Sequence, residues 1–367
     1  MNEGADPPFL VLPLMTDRVV VTGAASDVGA RAAVALASAR PRLDLLAVDR
    51  TAPQRLPAQV EARRLDLESA DLKSLFSGAD TVVYLGSRGK PGETDPAADE
   101  ADRRTARRVL DAAAECGVSH LVLLSTALVY GARPSNPLPL SEDAPVQPNP
   151  DFSWAVVRAD IERLASEWRR ANHDATVAVL RPTAVVTEDQ LGQLARVLHS
   201  ARLGVVADGD PPVQYLHIDD LASAVVTAVL SRADGALNVA PEGWIPPDAL
   251  RQLEGPKPRL RVPLWVARAL AAVRLQAGVA PIPPGVVPYT SHSWVIASDR
   301  LRALGWEPGY SNEEAWVVSH SPSPLDRVPA RRRQELALAA AAVGVVTGVW
   351  FVVWLLRRVG RVRRPHE

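Results

Sequence analysis

The chain is poor in cysteine, lysine and aromatic residues. Cys116 is the only cysteine in 367 residues, which excludes a disulfide framework and any cysteine-based zinc site. Lysine occurs only at Lys73, Lys90 and Lys257, so nearly all positive charge is arginine. A secretory signal is not expected: Phe9 to Met15 is apolar, but its flanks are acidic and Pro13 interrupts it. The body is therefore expected in the cytoplasm. Apolar residues make up 47% and charged residues 23%, the balance of a globular chain. The net charge of −1 hides an asymmetry, because residues 331–367 carry eight Arg against Glu335 and Glu367, which leaves −7 on residues 1–330. An acidic body does not suggest a nucleic-acid binder, which would show a basic face.

One long apolar run is present. Residues 336–356 are 21 residues without a charge, enough as a helix to cross the ~30 Å hydrocarbon core of a bilayer. Arg331, Arg332 and Arg333 precede it, five further Arg follow it, and Trp350 and Trp354 sit near one end. We read a C-terminal transmembrane helix with a basic tail over 357–367. Gly344 and Gly348 form a G-x-x-x-G that would let two such helices pair, so a homodimer is an expectation.

The first 180 residues alternate short β-branched runs with helical stretches. Strands are expected at Arg18–Thr22, Leu43–Val48, Val60–Leu65, Thr81–Leu85, His120–Leu124 and Thr176–Leu180, and helices at Asp27–Ala39, 97–116 and 154–171. This order predicts an α/β fold, a Rossmann-type doubly wound parallel sheet. The turn Thr22 to Gly29 reads T-G-A-A-S-D-V-G. Gly23 supplies a tight turn, Gly29 a close helix–strand approach, and the helix N-terminus beyond suits a pyrophosphate. Ser26 replaces a middle glycine and could itself donate to phosphate. Asp49 ends the second strand, where a carboxylate accepts from a ribose 2′-OH, so NAD is expected in preference to NADP.

Further markers follow: Asp66-Leu67, Leu85-Gly86-Ser87, Ser125-Thr126-Ala127-Leu128-Val129-Tyr130-Gly131, Leu180-Arg181-Pro182, His217-Ile218-Asp219-Asp220, and Leu304-Gly305-Trp306. In their order and spacing, from about Arg18 to about Trp316, they resemble the extended short-chain dehydrogenase/reductases, the NAD-dependent epimerase/dehydratases. The resemblance implies a cofactor site of Gly23, Ser26, Gly29, Asp49, Asp66, Leu67, Leu85, Gly86 and Ser87, and a small-molecule substrate such as a nucleotide sugar. It also implies a Rossmann domain over 18–182 after an extension over 1–17, and a substrate part over 183–318 from which 213–240 returns to the sheet. A linker over 319–335 would lead to the membrane helix.

The resemblance breaks at the catalytic pair. Thr126 matches the family's Ser or Thr. The family's Tyr and Lys, one helical turn apart, are here Trp154 and Arg158. An indole N–H has no accessible ionisation, and Arg stays charged at any working pH. Arg158 can still hold ribose hydroxyls. Position 154 cannot exchange the proton that accompanies hydride transfer. Two readings stay open: an oxidoreductase or epimerase acting on a nucleotide sugar or a lipid-linked alcohol, and a cofactor-loaded pseudoenzyme that senses or scaffolds. Tyr130 is expected to pack, Asp151 to cap the helix after it, His217 to be structural and Cys116 to be a small core residue. His199, His292 and His320 show no ligand spacing, so no metal is expected. Over 262–279, Trp265, Ala269, Leu270, Val273 and Ala277 share a helical face, read either as packed on the core or as touching a bilayer.

Overall fold

The computed structural model describes residues 18–202, 205–206, 209–255, 260–278 and 282–320. The expected membrane helix and its basic tail lie outside the described residues. Among these, no helix is long and apolar enough to cross a membrane.

The chain starts with β1 (Arg18–Thr22), α1 (Asp27–Ala39), β2 (Asp44–Asp49), β3 (Glu61–Arg64), α2 (Leu72–Phe76) and β4 (Thr81–Tyr84). It continues through α3 (Pro96–Glu115), β5 (His120–Leu124), α4 (Ser153–Ala171) and β6 (Thr176–Pro182). Beyond lie β7 (Ala184–Thr187), β8 (Gln190–Leu191), α5 (Gln193–Arg202), β9 (Val205–Val206), β10 (Tyr215–His217), α6 (Ile218–Leu230) and β11 (Gly235–Val239). The last elements are α7 (Pro247–Glu254), β12 (Leu260–Arg261), α8 (Leu264–Gln276), α9 (Asp299–Ala303) and α10 (Asn312–Ser319).

Seven strands form one sheet in the order β11-β6-β5-β4-β1-β2-β3, and every neighbouring pair is parallel. Parallel sheets bury both faces, which is why Val19-Val20-Val21 and Thr81-Val82-Val83-Tyr84 are continuous buried runs. Leu36 and Val225 pack on one face, and Val109 and Ile161 on the other. The edge strand β3 is exposed throughout, and Glu61, Arg63 and Arg64 guard it against further pairing. The chain reverses direction of winding between β1 and β4, so their carboxyl ends open a crevice where ligands of such sheets bind.

The second part of the chain folds over that end of the sheet. β10, β7 and β8 make a small three-stranded sheet, and β11 returns to pair with β6. Trp306 is 2% exposed, and its Nε1 donates to Ser223 Oγ at 2.9 Å and the Asp220 carbonyl at 3.2 Å. Asp220 in turn accepts from the Gly309 and Tyr310 amides. The segment after α9 is thereby pinned to the start of α6.

Candidate active site

The turn between β1 and α1 is fixed by backbone geometry. Gly23 has φ +73°, and a Cβ there would lie 2.7 Å from the Gly86 amide nitrogen. A Cβ on Gly29 would lie 2.1 Å from the Gly23 carbonyl oxygen. Neither position admits a side chain. Ser26 caps α1: its Oγ donates to the Gly23 carbonyl at 2.6 Å and accepts from the Gly29 amide at 3.1 Å. The expectation that Ser26 donates to phosphate is corrected, because its proton is committed inside the turn. Amides and the helix dipole remain for an anion.

Asp49 joins the same turn from the end of β2. One carboxylate oxygen accepts from the Ala25 amide at 3.0 Å and the other from the Thr51 amide at 3.2 Å. Gly23, Ser26, Asp49, Asp66, Leu67, Leu85, Gly86 and Ser87 line a single cleft, which joins eight of the ten expected cofactor residues. Gly29 stands behind the turn, and Arg158 lies outside this cleft.

Sequence reading missed a residue on the cleft wall. Arg88 reaches across to Asp66 at 2.8 Å and to Glu68 at 2.8 Å. Burial alone would raise the Asp66 carboxyl, but the Glu68 amide and the Arg88 guanidinium together hold it below its ordinary value. The loop carrying Arg88 hangs on Asp102 of α3. That buried carboxylate accepts from Ser87 Oγ at 2.7 Å, the Arg88 amide at 2.7 Å and the Gly89 amide at 3.1 Å. Asp102 belongs to α3 and Arg88 to a loop without a period, so sequence spacing offered no signal for this contact.

The expected catalytic residues sit on α4 and the turn after β5. Thr126 is buried and caps the short 3-10 turn of residues 127–130, accepting from the Leu128 amide at 3.4 Å. Trp154 occupies the first turn of α4, where its Nε1 donates to the Gly89 carbonyl at 3.3 Å. The buried Arg158 guanidinium lies over the indole, 5.3 Å from the ring centroid. Asp151 does not cap this helix. Phe152 is the cap residue and makes no side-chain bond, while Asp151 pairs with Arg268 of α8.

Behind Arg158, Glu162 meets Arg181 at 2.6 Å in a forked pair and accepts from Ser125. Tyr130 donates to Asn238 Oδ1 at 2.7 Å and accepts from Arg181 Nη1 at 2.7 Å. Burial raises the Tyr130 phenol above its ordinary value. Its hydroxyl is thus consumed by packing and cannot stand in for the missing acid.

Elsewhere, His217 caps α6 and stacks on Tyr310, with centroids 4.0 Å apart. Glu188, His217 and Asp219 bring possible ligand atoms within 4.8 Å of one another, a grouping that sequence spacing did not suggest. Arg31 bridges both carboxylates. Cys116 is half-buried at the end of α3, packed against the margin of the core, and its thiol donates to the Lys73 carbonyl.

Comparison with known proteins agrees with this geometry. The pattern described as NAD dependent epimerase/dehydratase family matches residues 19–240. A 3-diazoavenalumate denitrifying reductase from a Streptomyces species is 31% identical over 319 residues, covering 79% of this chain and 96% of that protein. A UDP-glucose 4-epimerase from Azospirillum brasilense is 27% identical, covering 82% of this chain and 90% of that protein. Among solved structures, a Thermus thermophilus UDP-glucose 4-epimerase in complex with NAD superposes with a TM-score of 0.61 at 22% identity, covering 82% of this chain and 96% of that one.

Proposed function

Since the chain belongs to the NAD dependent epimerase/dehydratase family, we propose that it is an NAD-dependent reductase whose hydride acceptor needs no proton from the protein. The dinucleotide fits the residues present. The Gly23–Gly86 approach, too close for any Cβ, leaves backbone against the pyrophosphate position, and Asp49 suits a ribose bearing two hydroxyls. Asp66 suits the adenine amino group. When bound in its reduced form, NAD supplies a hydride. Arg158 holds the nicotinamide ribose, steadied by the Trp154 indole beneath it, which is itself tied to the Gly89 carbonyl.

Trp154 carries the reading. Epimerisation at a carbinol begins by taking a hydroxyl proton, a task typically worth about 10²–10⁴ in rate. Neither the indole nor the consumed Tyr130 phenol performs it. An aryl diazonium is an acceptor of the other kind, because hydride replaces dinitrogen with no proton gained. The similarity to a denitrifying reductase supports this acceptor class. Nucleotide sugars are the second reading, supported by Thr126 and by the likeness to sugar epimerases. A lipid-linked alcohol would meet the same want of a proton donor. The proposal keeps the body on the cytoplasmic side of a membrane, anchored by residues 336–356.

The test is NADH oxidation with an aryl diazonium carboxylate, followed by dinitrogen release and by deuterium transfer from labelled NADH. Turnover above the protein-free rate, alongside none with UDP-glucose, is expected. Fast epimerisation of UDP-glucose would overturn the assignment. Tight NAD binding with no turnover on either substrate would instead identify a sensor or scaffold.

A further inference from the structure

α8 carries its apolar stripe on the outside. Ala267 and Ala271 face inward, and with Leu270 they line the seam against the turn of residues 284–290. Trp265, Ala269 and Val273 recur every four residues on the opposite side, and all three are exposed. Trp265 is 72% exposed and Val273 61%, while Leu260 in β12, just ahead of the helix, is 65% exposed. These are the three most exposed large apolar side chains among the described residues. Of the face read from the sequence, Leu270 turns to the seam while Trp265, Ala269, Val273 and Ala277 are exposed, so the alternative that this face packs on the core is corrected for all but Leu270. A stripe of this kind in water marks a surface that meets a partner.

Charge says which partner. From Gly255 to Ser298 the sequence holds Lys257, Arg259, Arg261, Arg268 and Arg274 and no acidic residue, within a body whose net charge is otherwise negative. Asp151, the acidic group paired with Arg268, comes from the start of α4. A segment of this net charge repels a second copy of itself and attracts an anionic surface. Arginine stems lie along apolar surface while their heads reach phosphates. The linker of residues 320–335 reaches about 55 Å when fully extended, so the apolar run beyond it would keep the body beside a bilayer. We propose that the Trp265–Val273 face of α8 docks on an anionic phospholipid bilayer, with the stripe at the boundary of headgroups and acyl chains and the exposed Arg261 on lipid phosphates.

The experiment uses the full chain in vesicles of phosphatidylcholine, in vesicles of equal parts phosphatidylcholine and phosphatidylglycerol, and in detergent. Amide hydrogen exchange is followed over residues 264–276. Exchange should be at least about threefold slower on the anionic vesicles, with α1 and α3 unchanged. Trp265→Ser combined with Val273→Asp should abolish the difference. Both side chains are exposed, and unchanged exchange in β1 and β5 verifies that the variant folds. As an independent readout, quenching of tryptophan fluorescence by brominated anionic lipid should drop in Trp265→Phe. Equal exchange in all three media overturns the proposal. So does slowing that persists in detergent together with sedimentation as a dimer, which would assign the face to a second copy.

Discussion

Asp49 has two duties that substitution separates. It ties the Ala25 and Thr51 amides, and it presents negative charge where a 2′-phosphate would sit. Asp49→Ala removes both, so NAD(H) should bind about tenfold or more weakly, the loss of one charge-assisted hydrogen bond. Asp49→Asn keeps an acceptor for an amide and removes the repulsion. It should therefore narrow the preference for NAD(H) over NADP(H) with a smaller loss of NAD(H) affinity, as isothermal titration would show. An unchanged preference in both variants would remove Asp49 from cofactor choice. At position 154, Trp154→Tyr with Arg158→Lys should bring turnover on a secondary alcohol above wild type, and Trp154→Phe should not. Asp49 was legible from a local rule, strand end plus glycine spacing, whereas Trp154 and Arg158 were singled out only by the family resemblance. Arg88 was not legible. A lone Arg in a loop carries no period, and its partners Asp66, Glu68 and Asp102 come from two other segments.

Elements were legible where periodicity and caps agree. All six strands expected in the first half form, as do the helices at 27–39, 97–116 and 154–171, with ends displaced by a residue or two. What failed was choice of partner. Asp151 has the chemistry of a cap, but Arg268, far along the chain, takes its carboxylate. α8 has an apolar face that the sequence leaves open between core and bilayer, and only the packing of Ala267 and Ala271 shows which side is inward. β5 holds a further group that composition cannot reveal. His120 is fully buried, with Nδ1 on Thr176 Oγ1 at 2.7 Å and Nε2 on the Ala228 carbonyl at 3.1 Å, which joins β5 to β6 and α6. Burial, helped by the charge of Arg232, pushes its pKa down to about 4. Unfolded, it titrates near 6.5, so below that pH the unfolded chain takes a proton that the folded chain refuses. Stability should therefore fall as pH drops from about 6.5 towards 4, by about 2 kcal/mol at pH 5. In His120→Gln the loss of melting temperature between pH 7.5 and pH 5 should be shallower than in wild type. Parallel losses would show that other groups set the acid limb.

The whole molecule is tied together at both ends of its chain order. β6 is complete at Pro182, yet its free edge is covered only by β11, which begins at Gly235. Trp306, from farther along still, is fastened to Ser223 of α6. A fragment of residues 18–182 contains the whole phosphate turn and six of the seven sheet strands, but it should precipitate instead of binding NAD. Addition of residues through Ser319 should restore a soluble, cofactor-binding body, and size-exclusion chromatography separates the two outcomes. A soluble fragment that binds NAD would show that the first half folds alone. The same topology has a consequence for the ribosome. Strand β6 emerges with Ala178, Val179 and Leu180 unpaired along one edge, and at about 5–20 residues per second its partner arrives only seconds later. During that interval the nascent chain presents a bare β-edge to its neighbours, so the yield of native protein should depend on translation speed between Pro182 and Val239 as well as on the stability of the finished fold.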